Sequence, residues 1–231
     1  MRVIDISQGW YEGMPSFGAS WYPQFSLERA MSPQTDPAGV DRTFSTLHLF
    51  PHNGSHVESR FHFYPDGEKI DEVPLETFTG RACVADLSHK KDLEPVEADD
   101  LAGALQDVWT PGDRLLIRTG HPERHLGQDD YWDVAPFLTP SAAEWIVDNR
   151  AALVGMDCVT EEPGDRRFPV HRRVLGASIP LLENLAGLHR VSERVTWLFA
   201  LPVKVSDSEA APVRAVVVEG LLPMIDGQRD A

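Results

Sequence analysis

Cysteine is almost missing from this chain of 231 residues, which holds only Cys83 and Cys158. Two thiols so far apart build no disulfide framework, and their spacing matches no zinc knuckle. They read as small buried hydrophobes. Positive charge is also scarce: 21 Lys and Arg stand against 36 Asp and Glu, a formal net charge of −15. That imbalance argues against nucleic acid and anionic membrane surfaces as partners, because both repel such a chain. No window approaches ~20 uninterrupted apolar residues, so no membrane span is expected. Met1 to Ser7 lack the apolar core of a signal peptide, and the expected location is the cytoplasm. Internal repeats and low-complexity tracts are missing too.

A hydrophobic fraction of 42% with 25% charged residues is ordinary for a soluble globular protein. A chain of this size buries roughly 70% of its unfolded surface, enough for a core without covalent staples. The 18 prolines and 17 glycines are scattered, which predicts many short elements. Alternating or apolar runs predict strands at 2–7, 42–50, 81–88 and 113–119, the last after the turn Pro111-Gly112. Helical spacing runs from Glu97 to Trp109. A second helix begins at the cap Thr139-Pro140-Ser141 and extends over Ala142 to Leu153. The run 153–156 reads as a buried strand, 179–189 as another helix, and 195–205 and 213–219 as late strands. Residues 8–40 carry aromatics without a clear period and read as long ordered loops. Strands and helices alternate loosely, and no linker divides them, so the expectation is one mixed α/β domain.

The nine histidines are unevenly placed. His48, His52, His56 and His62 lie close together, with Glu58 among them, in the stretch His52-Asn53-Gly54-Ser55-His56-Val57-Glu58-Ser59-Arg60-Phe61-His62. Gly54 permits a tight turn that lets His52 and His56 face one point. An extended chain beyond it would put His56, Glu58, Arg60 and His62 in one row. A single histidine usually bonds backbone, but several imidazoles converging with a carboxylate suit zinc, manganese or iron. Neither H-E-x-x-H nor paired C-x-x-C is present, so spacing alone selects no zinc class.

The stretch resembles the signature H-x-G-T-H-x-D-x-P-x-H of the cyclase family of metal-dependent hydrolases, which includes bacterial kynurenine formamidase and isatin hydrolase. His52, Gly54, His56 and His62 match, and Ser55 stands in the Thr place. Glu58 replaces the usual Asp, and Arg60 the usual Pro. Further blocks are similar in the same order. They include Ile4-Asp5-Ile6-Ser7, Gly13-Met14-Pro15, Asp66-Gly67, Ile70 to Leu75, Gly112 to Leu116 and Gly155-Met156-Asp157. Later come His171 with Leu175-Gly176, then Glu183-Asn184-Leu185, Leu201 to Lys204 and Pro212 to Ala215.

The resemblance implies a single mixed β/β/α domain of the swivelling type over residues 1–231. It also implies one or two divalent ions, zinc or manganese, held by His52, His56, Glu58, His171 and Glu183, with His62 as acid/base. The implied reaction is hydrolysis of an amide, formamide, lactam or ester of a small substrate. A metal-assisted cyclase or dehydratase, and a non-catalytic metal-binding relative, are the alternatives. A homodimer or homotetramer is the implied assembly.

Some residues speak for themselves. Glu183 sits in an apolar run, where a buried unpaired carboxylate is costly, so a nearby cation is the easier explanation. Arg60 has three readings: an anchor for a substrate carboxylate, a substitute for the charge of a second ion, or a partner of Asp66 or Glu68. Trp10, Phe17 and Trp21, with Tyr11, Tyr22 and Phe25, either line a pocket for an aromatic substrate or pack the core or a subunit interface. Ser55 and Ser59 lack the surroundings of a nucleophile elbow.

Overall fold

The computed structural model describes residues 1–17, 21–32 and 34–221. In chain order the strands and helices are β1 (Arg2–Asp5), β2 (Ser26–Met31), β3 (Phe44–His48), β4 (His56–Glu58), β5 (Thr79–Asp86), β6 (Pro95–Val96), α1 (Ala98–Leu105), β7 (Arg114–Arg118), α2 (His121–His125), β8 (Phe137–Leu138), α3 (Pro140–Asp148), β9 (Leu153–Met156), α4 (Pro169–Gly176), β10 (Leu181–Glu183), β11 (Val195–Phe199), β12 (Ala210–Pro212) and β13 (Val216–Glu219). Nine strands form one curled sheet in the order β1-β13-β11-β5-β7-β9-β10-β4-β12. Its centre, β5-β7-β9-β10, is parallel, and both flanks are antiparallel. The mixed α/β expectation is met.

Strand pleat divides the apolar residues between two cores. Cys83, Ala85, Leu115, Ile117, Val154, Met156 and Leu181 face the helices, packing on Leu101, Leu105, Ile146, Val170 and Val174. Their neighbours Ala82, Val84, Leu116, Leu153 and Leu182 face the other way, onto Ile4, Phe78, Leu198 and Val217. Burial on both faces is what a parallel centre requires, and it explains the continuous apolar runs of these strands. Gly155 lies in register between Leu116 and Leu182. A Cβ there would stand 2.8 Å from Leu116 Cδ2, so the missing side chain is space that these leucines fill.

The helix starts follow their caps. Thr139 accepts from the Ala142 N–H, with Pro140 at the first turn. Glu97 and Asp100 form a capping box for α1. Both helices stop earlier than their apolar spacing predicts. α3 ends at Asp148 with Asn149 as its C-cap, and Arg150 takes the left-handed conformation (φ 53°) that turns the chain toward β9.

Three expectations need correction. Residues 179–189 do not form a helix: Leu181–Glu183 is a strand inserted between β9 and β4. A short apolar run has no period that separates a buried strand from a helix, and the strand partners decide it. The helix of this region is α4, whose His-Arg-Arg centre hides its apolar face. The extended row beyond the Gly54 turn also fails. β4 ends at Glu58, and Arg60–His62 is a single 3-10 turn. Within 8–40, Ser26–Met31 is a strand paired with β3, while residues 18–20 and 33 lie outside the described residues. Among the described residues no helix is long and apolar enough to cross a membrane.

Truncating Leu116 to Ala should lower the unfolding free energy by about 2–5 kcal/mol, because rigid strands cannot collapse into the space. Urea denaturation measures this, and a loss under about 1 kcal/mol would mean that the two-core packing is wrong.

Candidate metal centre

The centre is assembled where α4 lies over β4 and β10. On β4 the pleat sends Val57 into the core away from the helices and turns His56 and Glu58 to the opposite face. On β10, Glu183 pairs directly with His56 across the antiparallel register. α4 supplies His171. His52 arrives from the turn before β4, where Gly54 has φ 58° and a Cβ would meet the Trp10 indole at 2.8 Å. Only glycine suits both constraints. The turn is locked to β10: Asn184 Nδ2 donates to Gly54 O (3.0 Å), Ser55 Oγ donates to Asn184 O (2.6 Å), and the Gln8 N–H donates to Ser55 Oγ (2.7 Å).

Glu58 is the hub. Its Oε1 lies 2.7 Å from His52 Nδ1 and 3.3 Å from His56 Nε2, while its Oε2 lies 3.4 Å from His171 Nε2. Glu183 reaches two of these three imidazoles, with Oε2 at 3.5 Å from His56 Nε2 and Oε1 at 3.4 Å from His171 Nε2. Two trios result, His52–His56–Glu58 and Glu58–His171–Glu183, each with its ligand atoms within 4.8 Å of one another. His62 stands on the more open side, its Nε2 3.7 Å from Glu58 Oε1 and its ring 4.6 Å from that of His52.

The donor set fits a divalent cation. Glu58 is buried, and its Oε2 has no hydrogen-bond partner. Burial pushes the Glu58 carboxyl up, but His62, His171, His52 and His56 outweigh it and hold it well below the usual range. Burial and the Glu58 charge push Glu183 up, and His171 and His56 bring it below its ordinary value. Desolvation favours neutral His52, yet Glu209 and Glu58 raise its pKa to about 10. His171, desolvated in the same way, is held well above its ordinary value by Glu161, Glu183 and Glu58. The polypeptide thus balances the buried Glu58 and the partly buried Glu183 with protons on imidazoles, and a bound cation displaces such protons when it takes those ligands. His62 behaves differently. Burial and the neighbouring His52 and His171 lower its pKa, against the pull of Glu58 and Glu183.

Several contributors have no sequence signal. Glu161 accepts from both the backbone N–H (2.9 Å) and the ring Nδ1 (2.9 Å) of His171. Glu209 lies 3.1 Å from His52 Nε2, and His52 draws its carboxyl down to about 2. His56 Nδ1 donates to Gly54 O at 2.9 Å. Each of these imidazoles therefore has its far nitrogen held by an acceptor, which fixes tautomer and aim as in metal-binding histidines. Thr160 Oγ1 donates to Glu183 Oε1. Tyr22 OH donates to His52 O at 2.7 Å, and its own pKa is raised by burial and by Glu183 and Glu58. Glu161 precedes a Pro in an acidic pair, and Glu209 lies in a polar stretch. Only folding brings them to the histidines.

The remaining sequence candidates lie further out. Arg60 sits over the Tyr64 ring (5.0 Å) and 3.9 Å from Asp66. It borders a small cavity of about 60 Å³ with Glu68, Pro74 and Ser178. Trp10 covers the Gly54 turn and meets Phe25 edge-on at 6.0 Å. Phe17 touches Tyr22 and Trp132, and Trp21 touches Tyr22 and Phe50. Phe50 is 5.2 Å from the His52 ring, so a relay of aromatic rings leads outward from the centre to the half-exposed Phe17 and the exposed Trp21.

A fold with a curled mixed sheet and a histidine–carboxylate centre at its helix-covered end defines a class, and comparison with known proteins identifies it. The Cyclase family model matches residues 4–163, and the chain belongs to that family. The match includes His52, His56, Glu58 and His62 and ends before His171 and Glu183. The chain is 28% identical to a kynurenine formamidase of Bacillus cereus (strain ATCC 10987 / NRS 248) over 215 residues, 93% of this chain and 96% of the relative. It is 29% identical to that of Bacillus anthracis over 167 residues, 72% of this chain and 75% of the relative. Among solved structures, isatin hydrolase A from Labrenzia aggregata, bound to benzyl benzoate, superposes with a TM-score of 0.81 at 21% identity, covering 94% of this chain and 93% of that one. A potential metal-dependent hydrolase with cyclase activity superposes with a TM-score of 0.74 at 24% identity, covering 94% and 96%. These structures share the fold.

In protein stripped of metal, the stability that His52 contributes is complete below its ordinary pKa of 6.5 and is lost as the pH rises through about 10. Glu209→Gln should therefore lower the thermal midpoint near neutral pH, and the gap to the parent should close across the alkaline range. A gap independent of pH would show that Glu209 does not stabilise charged His52.

Proposed function

We propose that this chain is a metal-dependent hydrolase that cleaves a carbon–nitrogen bond outside peptides, in an amide, formamide or lactam of a small substrate, or the equivalent ester. The observation that carries the reading is the division of buried Glu58 between two trios of ligand atoms, with His62 beside it. Kinship to kynurenine formamidases supports the bond type. His52, His56 and Glu58 would hold one ion, and Glu58, His171 and Glu183 a second where two bind. Imidazole with carboxylate suits zinc or manganese.

When bound, a divalent ion supplies polarisation of a carbonyl oxygen and a water whose pKa falls from 15.7 to roughly 7. The remaining chemistry belongs to the chain. His62, its pKa lowered, is neutral near pH 7 and can accept a proton from water at Nε2. The water oxygen bonds to the carbonyl carbon, the carbon–nitrogen bond breaks, and His62 returns the proton to the leaving nitrogen. Glu209 and Glu161 keep His52 and His171 aimed. Phe17 and Trp21, continued inward by Tyr22 and Phe50, offer apolar faces to an aromatic substrate. Arg60, stacked on Tyr64 beside Asp66, braces the turn at 60–66.

The test is to strip the protein with chelator, reload zinc or manganese, and assay aryl formamides, cyclic imides and lactams for formate release or ring opening. His62→Ala should lower the rate about 10²–10⁴-fold with metal content unchanged. His56→Ala should lose metal. Full metal content in both His56→Ala and Glu58→Ala, or inactivity across the panel with either metal loaded, would overturn the reading, the latter in favour of a non-catalytic binder.

We further propose that the chain works as a homodimer or homotetramer. Among the described residues β2 and β3 pair only with each other, and Phe44 and Leu47 on β3 and Leu49 just beyond it are 50%, 53% and 46% exposed. Exposed apolar side chains gathered on such a strand pair suit an association surface. Light scattering should give two or four chains, and Leu47→Glu should shift the mass downward. A monomeric parent protein would refute this.

A further inference from the structure

The geometry points to a second divalent-cation site, built by Asp92, His121 and His125 and sharing no residue with the centre around Glu58. One ligand atom from each of the three lies within 4.8 Å of the others. His121 and His125 are four residues apart on α2, a spacing that puts both on one face. Their rings are stacked, with centroids 5.0 Å apart and planes 27° from parallel.

The decisive atom is His121 Nδ1. The His121 side chain is fully buried, and its Nε2 is 2.7 Å from Tyr131 O. A carbonyl oxygen only accepts, so Nε2 carries the proton and Nδ1 presents a lone pair. That Nδ1 is buried without any hydrogen-bond partner. A buried acceptor left unpaired is costly. Metal-binding histidines have this arrangement: one nitrogen donates to a backbone carbonyl, and the other is left for the ion.

His125 supplies the second imidazole. Its Nε2 lies 3.1 Å from both oxygens of Asp92, and its Nδ1 lies 3.7 Å from Asp130 Oδ1. An ion that replaces the proton between Nε2 and Asp92 leaves the other proton on Nδ1, which lies 3.7 Å from Asp130 Oδ1 and makes no hydrogen bond. Two imidazoles and one carboxylate make the three-ligand set typical of zinc, with a position left for water. Arg124 competes for Asp92 from 3.6 Å, while its guanidinium is also held by the carbonyls of Thr119, Gly120 and Lys90. Its positive charge disfavours hard ions that depend on carboxylate charge, such as calcium, and leaves the imidazole-seeking metals of the zinc class. Bound there, the ion would tie α2 to the loop at Asp92.

The experiment is zinc titration of the chelated full chain, followed by gel filtration and elemental analysis. Asp92→Asn and His125→Gln should each bind one ion per chain fewer than the parent protein. The double variant His52→Ala, Glu183→Gln should retain an ion that is lost when Asp92→Asn is added. Zinc content in Asp92→Asn and His125→Gln equal to the parent's would overturn the proposal. Asp92 is half-exposed, so its variant decides the question if His125→Gln fails to fold. Loss of every ion in the double variant would also overturn it. Unchanged zinc in the double variant, with one ion lost on adding Asp92→Asn, would support this site and count against the centre around Glu58.

Discussion

One carboxylate organises this protein. Glu58 lies beneath the surface with three imidazoles on its two oxygens and a fourth close by, and one of those oxygens has no other partner. An isolated charge at that depth is intolerable without compensation. The strands, the helix and the turn that surround it are arranged to bring positive charge there, as imidazolium or as a cation. β4 presents Glu58 and His56 on one face, β10 sets Glu183 opposite, and α4 closes over them with His171.

The sheet makes this possible by changing character along its width. Its parallel centre packs apolar side chains on both faces, and its polar residues, such as Arg81, Asp86, Arg114 and Arg118, stand toward the strand ends or less buried positions. At β10 the sheet turns antiparallel, and polar residues enter the inward face. The centre therefore sits where the rigid core ends, supported by packed strands on one side and open on the other, where His62 and the aromatic relay lie. Around the metal-facing atoms a second set of acceptors, Glu161, Glu209 and Gly54 O, holds the outer imidazole nitrogens. Trp10 fills the place where a side chain at 54 would stand, so the turn has one conformation available.

Much of this was legible in the chain. The strands at 2–7, 81–88, 113–119 and 153–156 emerge from alternation and apolar runs, and α3 from its Thr-Pro cap. The cluster from His52 to His62 announced itself by residue type and spacing, and so did the usefulness of Gly54. The run 179–189 was misread because an apolar segment looks the same in a buried strand and in a helix until its neighbours are known. The row through Arg60 and His62 was misread because nothing local says where a three-residue strand stops. Arg60 consequently turns to Tyr64 and Asp66, while His62 comes beside Glu58 by way of a 3-10 turn.

The sequence by itself determined the chemistry on offer: imidazoles and carboxylates too concentrated to be incidental, an acidic surface, and a core large enough to bury them. Those are matters of composition and short-range pattern. Only the tertiary structure decided the partnerships. Glu209 meets His52 across 157 positions, and Glu161 meets His171 from the loop before α4. His121 keeps one nitrogen without a partner at a place no motif marks. Hydrogen bonds and ion pairs act over a few ångströms of space, and distance along the chain does not foretell which groups the packed sheet will bring that close.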